Sequence, residues 1–135
     1  MLLIDTNVLL DQVTNDTQWS DWSLARLKEA AVRGPLLIND VVYAELSVSF
    51  NRIEDLDRFL DETQIDIVST PRPALFQAAK AFSQYRKNGG NKTGVLPDFF
   101  IGAHAAVEKL PLLTRDPRRY RTYFPTLDLI TPQLP

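Results

Sequence analysis

Four acidic residues carry the first chemical signal in this sequence: Asp5, Glu45, Asp98 and Asp116. Asp5 closes the apolar run "MLLID" and precedes a polar pair, Thr6 and Asn7. Glu45 sits early in "VVYAELSVSF", Asp98 opens "PDFFIGAHAAVEKL", and Asp116 follows Thr114 in "LLTRDPRRYR". Each acid has a structural explanation. Asp5 and Asp116 are placed to cap helices, a negative charge at Asp98 suits a helix N-terminus, and Glu45 can face water. Capping accounts for each acid alone but not for four together, because crowded like charges repel and raise one another's pKa. A counter-charge is then required. Arg115, beside Asp116, is one source, and a divalent cation is the more economical one.

The donor chemistry narrows the metal. The chain has no cysteine and one histidine, His104, which lies in an alanine-rich helical pattern and reads as a packing or surface residue. Thiolate sites are therefore excluded and zinc is disfavoured. An all-oxygen set suits Mg²⁺ or Mn²⁺, with Asp5, Asp98 and Asp116 as ligands and Glu45 as the fourth acid of the site. Such a metal lowers the pKa of a bound water and neutralises charge on a phosphodiester in its transition state. Thr6, Asn7 and Thr114 would hydrogen-bond the ligating carboxylates, although a turn or a cap explains them equally.

These side chains meet only if the fold gathers them. The chain has 135 residues, 44% of them hydrophobic, enough for one compact domain over residues 1–135 without disulfide or metal staples. Short apolar runs alternate with helical patterns, which implies an α/β fold around a mostly parallel sheet. The expected strands are 2–4, 36–38, 66–68, 112–113 and 127–130. The expected helices run through "WSDWSLARLKEAAVRG", "VVYAELSVSF", "IEDLDRFLDETQ", "PALFQAAKAFSQYRKNGG" and "PDFFIGAHAAVEKL". The tail "TPQLP" is expected to be loosely held. In such a sheet the strand C-terminal ends and the following helix N-termini share one rim, where ligands bind, and all four acids are assigned to it.

Charge and hydropathy bound the partners. Net charge is −2, so a nucleic-acid partner has to be read from local clusters. Two exist: "RKNGGNK", with Arg86, Lys87 and Lys92, and "TRDPRRYR", with Arg115, Arg118, Arg119 and Arg121. Each alone reads as a solvated loop. Beside a metal site, the four arginines and Lys92 read instead as a lip for RNA phosphates. No run approaches the roughly 20 apolar residues that cross a bilayer, and no signal peptide is evident, so a soluble cytoplasmic protein is expected.

The ordered motifs "LLIDTNVLL", "VVYAEL", "LPDFFIGAHA" and "LLTRDPRRYRTYF", with the C-terminal "PTLDLITP", resemble the PIN-domain ribonucleases, and within them the VapC toxins of prokaryotic toxin–antitoxin pairs. The resemblance spans essentially the whole chain. It implies a three-layer α/β/α fold with a five-stranded parallel sheet in the order 3-2-1-4-5. It also implies a metal-dependent endoribonuclease whose acidic quartet falls on Asp5, Glu45, Asp98 and Asp116, with Thr6, Asn7 and Thr114 as helpers. A cognate antitoxin and a homodimer follow from the resemblance alone. The sequence departs from the family pattern in two places. Asn39-Asp40 stands where Ser or Thr commonly precedes the glutamate helix, and Gly102-Ala103 stands where Ala-Ala is common; neither is expected to touch the site.

Two alternatives come from other classes. An aspartyl-phosphate phosphotransfer enzyme also uses an acidic rim, but a dehalogenase-type phosphatase wants Asp-x-Asp where this chain has Asp5-Thr6-Asn7. A receiver domain wants an acceptor after strand three, where this chain has Ser69-Thr70. A non-catalytic RNA- or protein-binding module on the same fold would retain nucleic acid without cutting it. Trp19, Trp22, Tyr43, Leu46 and Phe50 would then, or in the toxin reading, line a groove for a partner helix; the competing assignment is the ordinary core.

Overall fold

A computed structural model describes residues 1–132. The chain runs β1 (Leu2–Ile4), α1 (Thr6–Val13), α2 (Ser20–Arg33), β2 (Leu36–Asn39), α3 (Asp40–Ser47), α4 (Ile53–Glu62), β3 (Ile65–Val68), α5 (Arg72–Lys87), α6 (Pro97–Glu108), β4 (Leu112–Leu113), α7 (Arg118–Tyr123) and β5 (Leu129–Ile130). All strand pairs are parallel and the order is β3-β2-β1-β4-β5, as expected. Leu2, Leu3 and Ile4 of β1 and Leu36, Leu37 and Ile38 of β2 are all buried. Unbroken apolar runs of this kind belong to strands covered on both faces, here by helices. The result is a three-layer α/β/α architecture.

The helices follow from local signals. Asp5 starts α1 by accepting the Thr6 amide on its carboxylate, and Asn39 starts α3 by accepting the Val42 amide at 2.9 Å. Asn39-Asp40 thus caps the glutamate helix as the sequence suggests. Leu56 and Leu60 form the buried stripe of α4, at a spacing of one turn. The inward face of α5 is Ala74, Ala78 and Ala81, small enough to bring α6 close. Helix α6 buries Phe99, Ile101, Gly102, Ala103, His104 and Ala105, since α3, α5 and α7 all pack on it. Lys109 ends it in the left-handed conformation, with φ 54°.

Element ends differ from expectation where tertiary pairing decides them. β3 begins at Ile65, which pairs with Leu36, and β5 begins only at Leu129, which pairs with Leu112. Helix α3 stops at Ser47, and Phe50 lies beyond it in a turn. Helix α7 was not among the expected helices, although Asp116 was placed to cap one: the N-cap is Pro117 with no side-chain cap bond, "RRYRTY" shows only charge, and its single buried residue, Tyr120, supplies the packing that holds it. Of the expected tail "TPQLP", Gln133–Pro135 lie outside the described residues. Among the described residues no helix is long and apolar enough to cross a membrane.

Of the residues with two assignments, Trp22, Tyr43, Leu46 and Phe50 pack with the core. Leu46 is fully buried in the core, while Trp22, Tyr43 and Phe50 are half-buried against it. Tyr43 and Phe50 also line a groove of about 160 Å³ with Leu56, between α3 and α4.

A buried polar pair lies beneath the rim. His104 is only 2% exposed, and its Nδ1 lies 3.2 Å from the Asn39 amide nitrogen. Burial lowers the imidazole's pKa, so the ring is neutral and Nδ1 accepts the bond. His104 is therefore a packing residue with a polar partner, not a surface one. Replacing Asn39 with Ala removes both the α3 cap and this bond. The expected cost is about 2–3 kcal/mol, read from urea unfolding.

Candidate active site

Asp5 follows the central strand, where the strand order reverses between β1 and β4, the crevice at which ligands bind in such sheets. It is 4% exposed. Four donors from three segments converge on its carboxylate. Oδ1 accepts the Thr6 amide at 2.7 Å. Oδ2 accepts the Thr114 hydroxyl at 2.7 Å, the Tyr120 phenol at 2.9 Å and, more weakly, the Asn7 side-chain amide at 3.3 Å. Burial, with the nearby charge of Asp98, pushes the Asp5 carboxyl up to about 6, while the hydrogen bonds from Thr114, Tyr120 and Thr6 pull the other way. Desolvation wins over four donors.

Glu45 reaches the same edge from α3. Its Oε1 accepts the Thr6 hydroxyl at 2.6 Å, which links it to the residue next to Asp5. Burial and the charge of Asp98 both raise its pKa. Asp98, in the first turn of α6, thus acts on both other acids. Asp98 itself is held by Arg119, Nη1 to Oδ2 at 3.0 Å, with both side chains 37% exposed. The Arg119 guanidinium also lies over the rings of Tyr85 and Phe99, at 5.7 and 5.8 Å from their centroids. Asp116 is exposed and stands 3.4 Å from Arg118. Asp98, Asp116, Arg118 and Arg119 line one open depression of about 460 Å³ with Tyr85, Thr122 and Tyr123.

Among the described residues no three Asp, Glu, His or Cys side chains are gathered as a group that could hold a metal ion. Two of the four acids are engaged by arginines instead. The donor set nonetheless suits a hard dication: it is all carboxylate, and the charge of Asp98 raises the pKa of both Asp5 and Glu45, so a cation placed among them would relieve the repulsion.

The remaining expected residues sort by their contacts. Thr114 donates to Asp5 and accepts the Asp116 amide at 3.1 Å, tying the β4 loop to the buried carboxylate. Asn7 Oδ1 accepts the Arg115 amide at 3.3 Å. Arg115 is spent elsewhere: its Nε lies 3.0 Å from Asp11, and its guanidinium covers the Trp19 ring at 5.6 Å. Asp11 is 1% exposed and also accepts the Ser23 hydroxyl at 2.6 Å. Arg121 and Lys92 are exposed and do not line the depression.

Sequence reasoning missed Tyr120 and Asp11. Tyr120 lies one helical turn after Asp116 inside an arginine run, which disguised a buried residue as part of a charged loop. Asp11 had a weak signal, an acid on the apolar side of α1. Gly102 also proved consequential. A Cβ there would stand 2.5 Å from the Phe124 ring and 3.1 Å from the Tyr120 ring, so the departure from Ala does touch the site's surroundings.

The molecule is thus a three-layer parallel α/β protein with a buried carboxylate, Asp5, linked through Thr6 to Glu45 at its topological switch point. The sequence profile described as PIN domain matches residues 2–125, and the chain belongs to that family. No curated protein gives a significant match to the chain. Solved structures share the fold at low identity. They include VapBC2 from Rickettsia felis bound to a DNA fragment from its promoter, at TM-score 0.74 and 19% identity over 98% of both chains. VapBC-1 from nontypeable Haemophilus influenzae gives 0.71 and 15% over 96% of both. FitAcB from Neisseria gonorrhoeae gives 0.67 and 20%, also over 96% of both.

The raised Asp5 pKa has a consequence for stability. An unfolded Asp5 ionises near 3.8 and the folded one near 6, so between these values the folded state binds the extra proton. Stability of the metal-free protein therefore falls as pH rises through this window, by on the order of 3 kcal/mol from this group, and is level above it. Asp5→Asn should flatten that slope in urea unfolding measured across the window. An unchanged slope would remove Asp5 as its source.

Proposed function

We propose that this chain, as a single domain of residues 1–135, is a divalent-metal-dependent endoribonuclease and the toxin of a toxin–antitoxin pair. The observation that carries the reading is that Thr6 bridges two acids, its amide on Asp5 at 2.7 Å and its hydroxyl on Glu45 at 2.6 Å, at the strand-end crevice of a PIN-family fold. The structural neighbours include VapBC complexes and a toxin–antitoxin complex from Klebsiella pneumoniae, the latter at TM-score 0.66 and 20% identity, which supports an antitoxin as partner. An RNA substrate, a homodimer and a cytoplasmic location belong to the same proposal.

In this scheme Asp5, Asp98 and Asp116 would hold Mg²⁺ or Mn²⁺. Once bound, the ion would supply an activated water and neutralise phosphodiester charge. The protein's own residues do the rest. Thr114, Tyr120 and the Thr6 amide fix the Asp5 carboxylate in one orientation, so the ligand is pre-organised. Glu45, with a pKa raised by burial and by Asp98, would take a proton from the attacking water. Arg119 and Arg118 exchange their carboxylate partners for RNA phosphates, since both guanidinium groups already face the depression that Asp98 and Asp116 line. Arg115 stays with Asp11 and braces the β4 loop.

Two predictions test this. RNA cleavage should require Mg²⁺ or Mn²⁺, stop with EDTA, and fall at least ~100-fold in Asp5→Asn and Asp98→Asn, with unchanged circular dichroism. Variants that cut at the wild-type rate would remove the catalytic assignment, and RNA retention without products would identify a binding module. Separately, Arg118→Gln and Arg119→Gln should each lower the salt slope of RNA binding by about 1, measured by filter binding across ionic strengths.

A further inference from the structure

Tyr120 is a large side chain with 1% exposure, and its hydroxyl ends on a carboxylate that already has other donors. The contact is one-directional. The Tyr120 hydroxyl lies 2.9 Å from Oδ2, and against a carboxylate, which only accepts, it is the donor. The distribution of donors on Asp5 is uneven. Oδ2 carries Thr114, Tyr120 and a long bond from Asn7, while Oδ1 carries the Thr6 amide alone. A carboxylate oxygen offers about two lone-pair directions, so Oδ2 is filled and Oδ1 keeps one.

The approach that makes this contact is set up from behind. Tyr120 lies on α7 and Phe124 ends it, and both rings rest where Gly102 of α6 lacks a side chain. An alanine Cβ would meet the Phe124 Cδ2 at 2.5 Å, a distance real Cβ atoms essentially never show, and the Tyr120 Cδ1 at 3.1 Å. An alanine there forces the Phe124 ring to shift and the Tyr120 ring to give by a few tenths of an ångström, so glycine at 102 lets both rings keep their present seats. A ring that merely filled the core would need no hydroxyl, and a hydroxyl needing only a partner could take one less costly than a buried carboxylate.

We propose that Tyr120, seated against Gly102, is a positioning residue for the metal site: with Thr114 it saturates Oδ2 of Asp5 and leaves Oδ1 free to bind a divalent cation. This rests on the metal-dependent reading above and assigns it a residue outside the acidic quartet. Tyr120 touches neither metal nor substrate; it acts through Asp5. Outer contacts of this kind typically change metal affinity 10–100-fold when removed.

Mn²⁺ binding, followed by the electron paramagnetic resonance signal of the free ion, tests it without recourse to activity. Wild type, Asp5→Asn, Tyr120→Phe, Gly102→Ala and the Tyr120→Phe/Gly102→Ala double variant would be compared, each shown folded by circular dichroism. The expected result is about 10-fold weaker Mn²⁺ binding in Tyr120→Phe. Gly102→Ala should weaken it in the same direction, and the double variant should be no weaker than Tyr120→Phe, because both changes break one contact. Should Tyr120→Phe fail to fold, Gly102→Ala alone carries the test. Wild-type affinity in a folded Tyr120→Phe or Gly102→Ala, with binding lost in Asp5→Asn, overturns the positioning role and leaves the metal site standing. Absence of Mn²⁺ binding in the wild type overturns both.

Discussion

The burial of one carboxylate organises this molecule. Asp5 follows the central strand with 4% exposure, where an ion without partners would cost several kcal/mol. Its pKa near 6 records that the cost is only partly offset. The donors that offset it come from the start of α1, the loop after β4, and α7, so the carboxylate ties the two halves of the chain across the β1–β4 crevice. No apolar residue at position 5 could recruit the Thr114 and Tyr120 hydroxyls, and without an acceptor the Tyr120 hydroxyl would be buried and unsatisfied.

Electrostatic crowding extends outward from that point. Asp98 acts on Asp5 and on Glu45, yet it finds a partner of its own in Arg119. That pair is partly exposed, so its direct contribution is small, on the order of 1 kcal/mol or less. Its importance is spatial. Arg119 lies between the aromatic faces of Tyr85 and Phe99 and the carboxylate, so a positive charge is kept at the mouth of an acidic site in a chain of net charge −2.

The sheet was legible because parallel strands buried on both faces leave unbroken apolar runs, and "LLI" at 2–4 and "LLI" at 36–38 stand out in any frame. The order β3-β2-β1-β4-β5 was not legible from periodicity; it came through the resemblance of four motifs. What the sequence hid was long-range and polar. Asp11 and Arg115 are 104 positions apart, and nothing local marks either as the other's partner. Tyr120 was masked by its neighbours: three arginines around it imply solvent, while the side chain turns inward to Asp5. His104 was hidden in the same way, since an imidazole in an alanine-rich helix announces neither its burial nor Asn39. Asp5, Asp98 and Asp116 could be read from their positions at element ends, while Glu45 lies inside α3; that arginines engage two of the four could not be read.

The arginine run makes the point in its smallest form. Residues 115, 118, 119 and 121 look equivalent as a cluster, and burial separates them. Arg115 faces an acid that is 2% exposed at its side chain, where removing one partner strands a charge at a cost of about 3–5 kcal/mol. Arg119 is half-buried against Asp98 and two rings, Arg118 is 89% exposed and 3.4 Å from Asp116, and Arg121 faces solvent. Only the guanidinium groups with weak or exposed partners can exchange them for a phosphate without leaving a buried charge unpaired. Within one run of basic residues, then, desolvation of the partner decides which arginine is structure and which is surface chemistry; charge count alone could not.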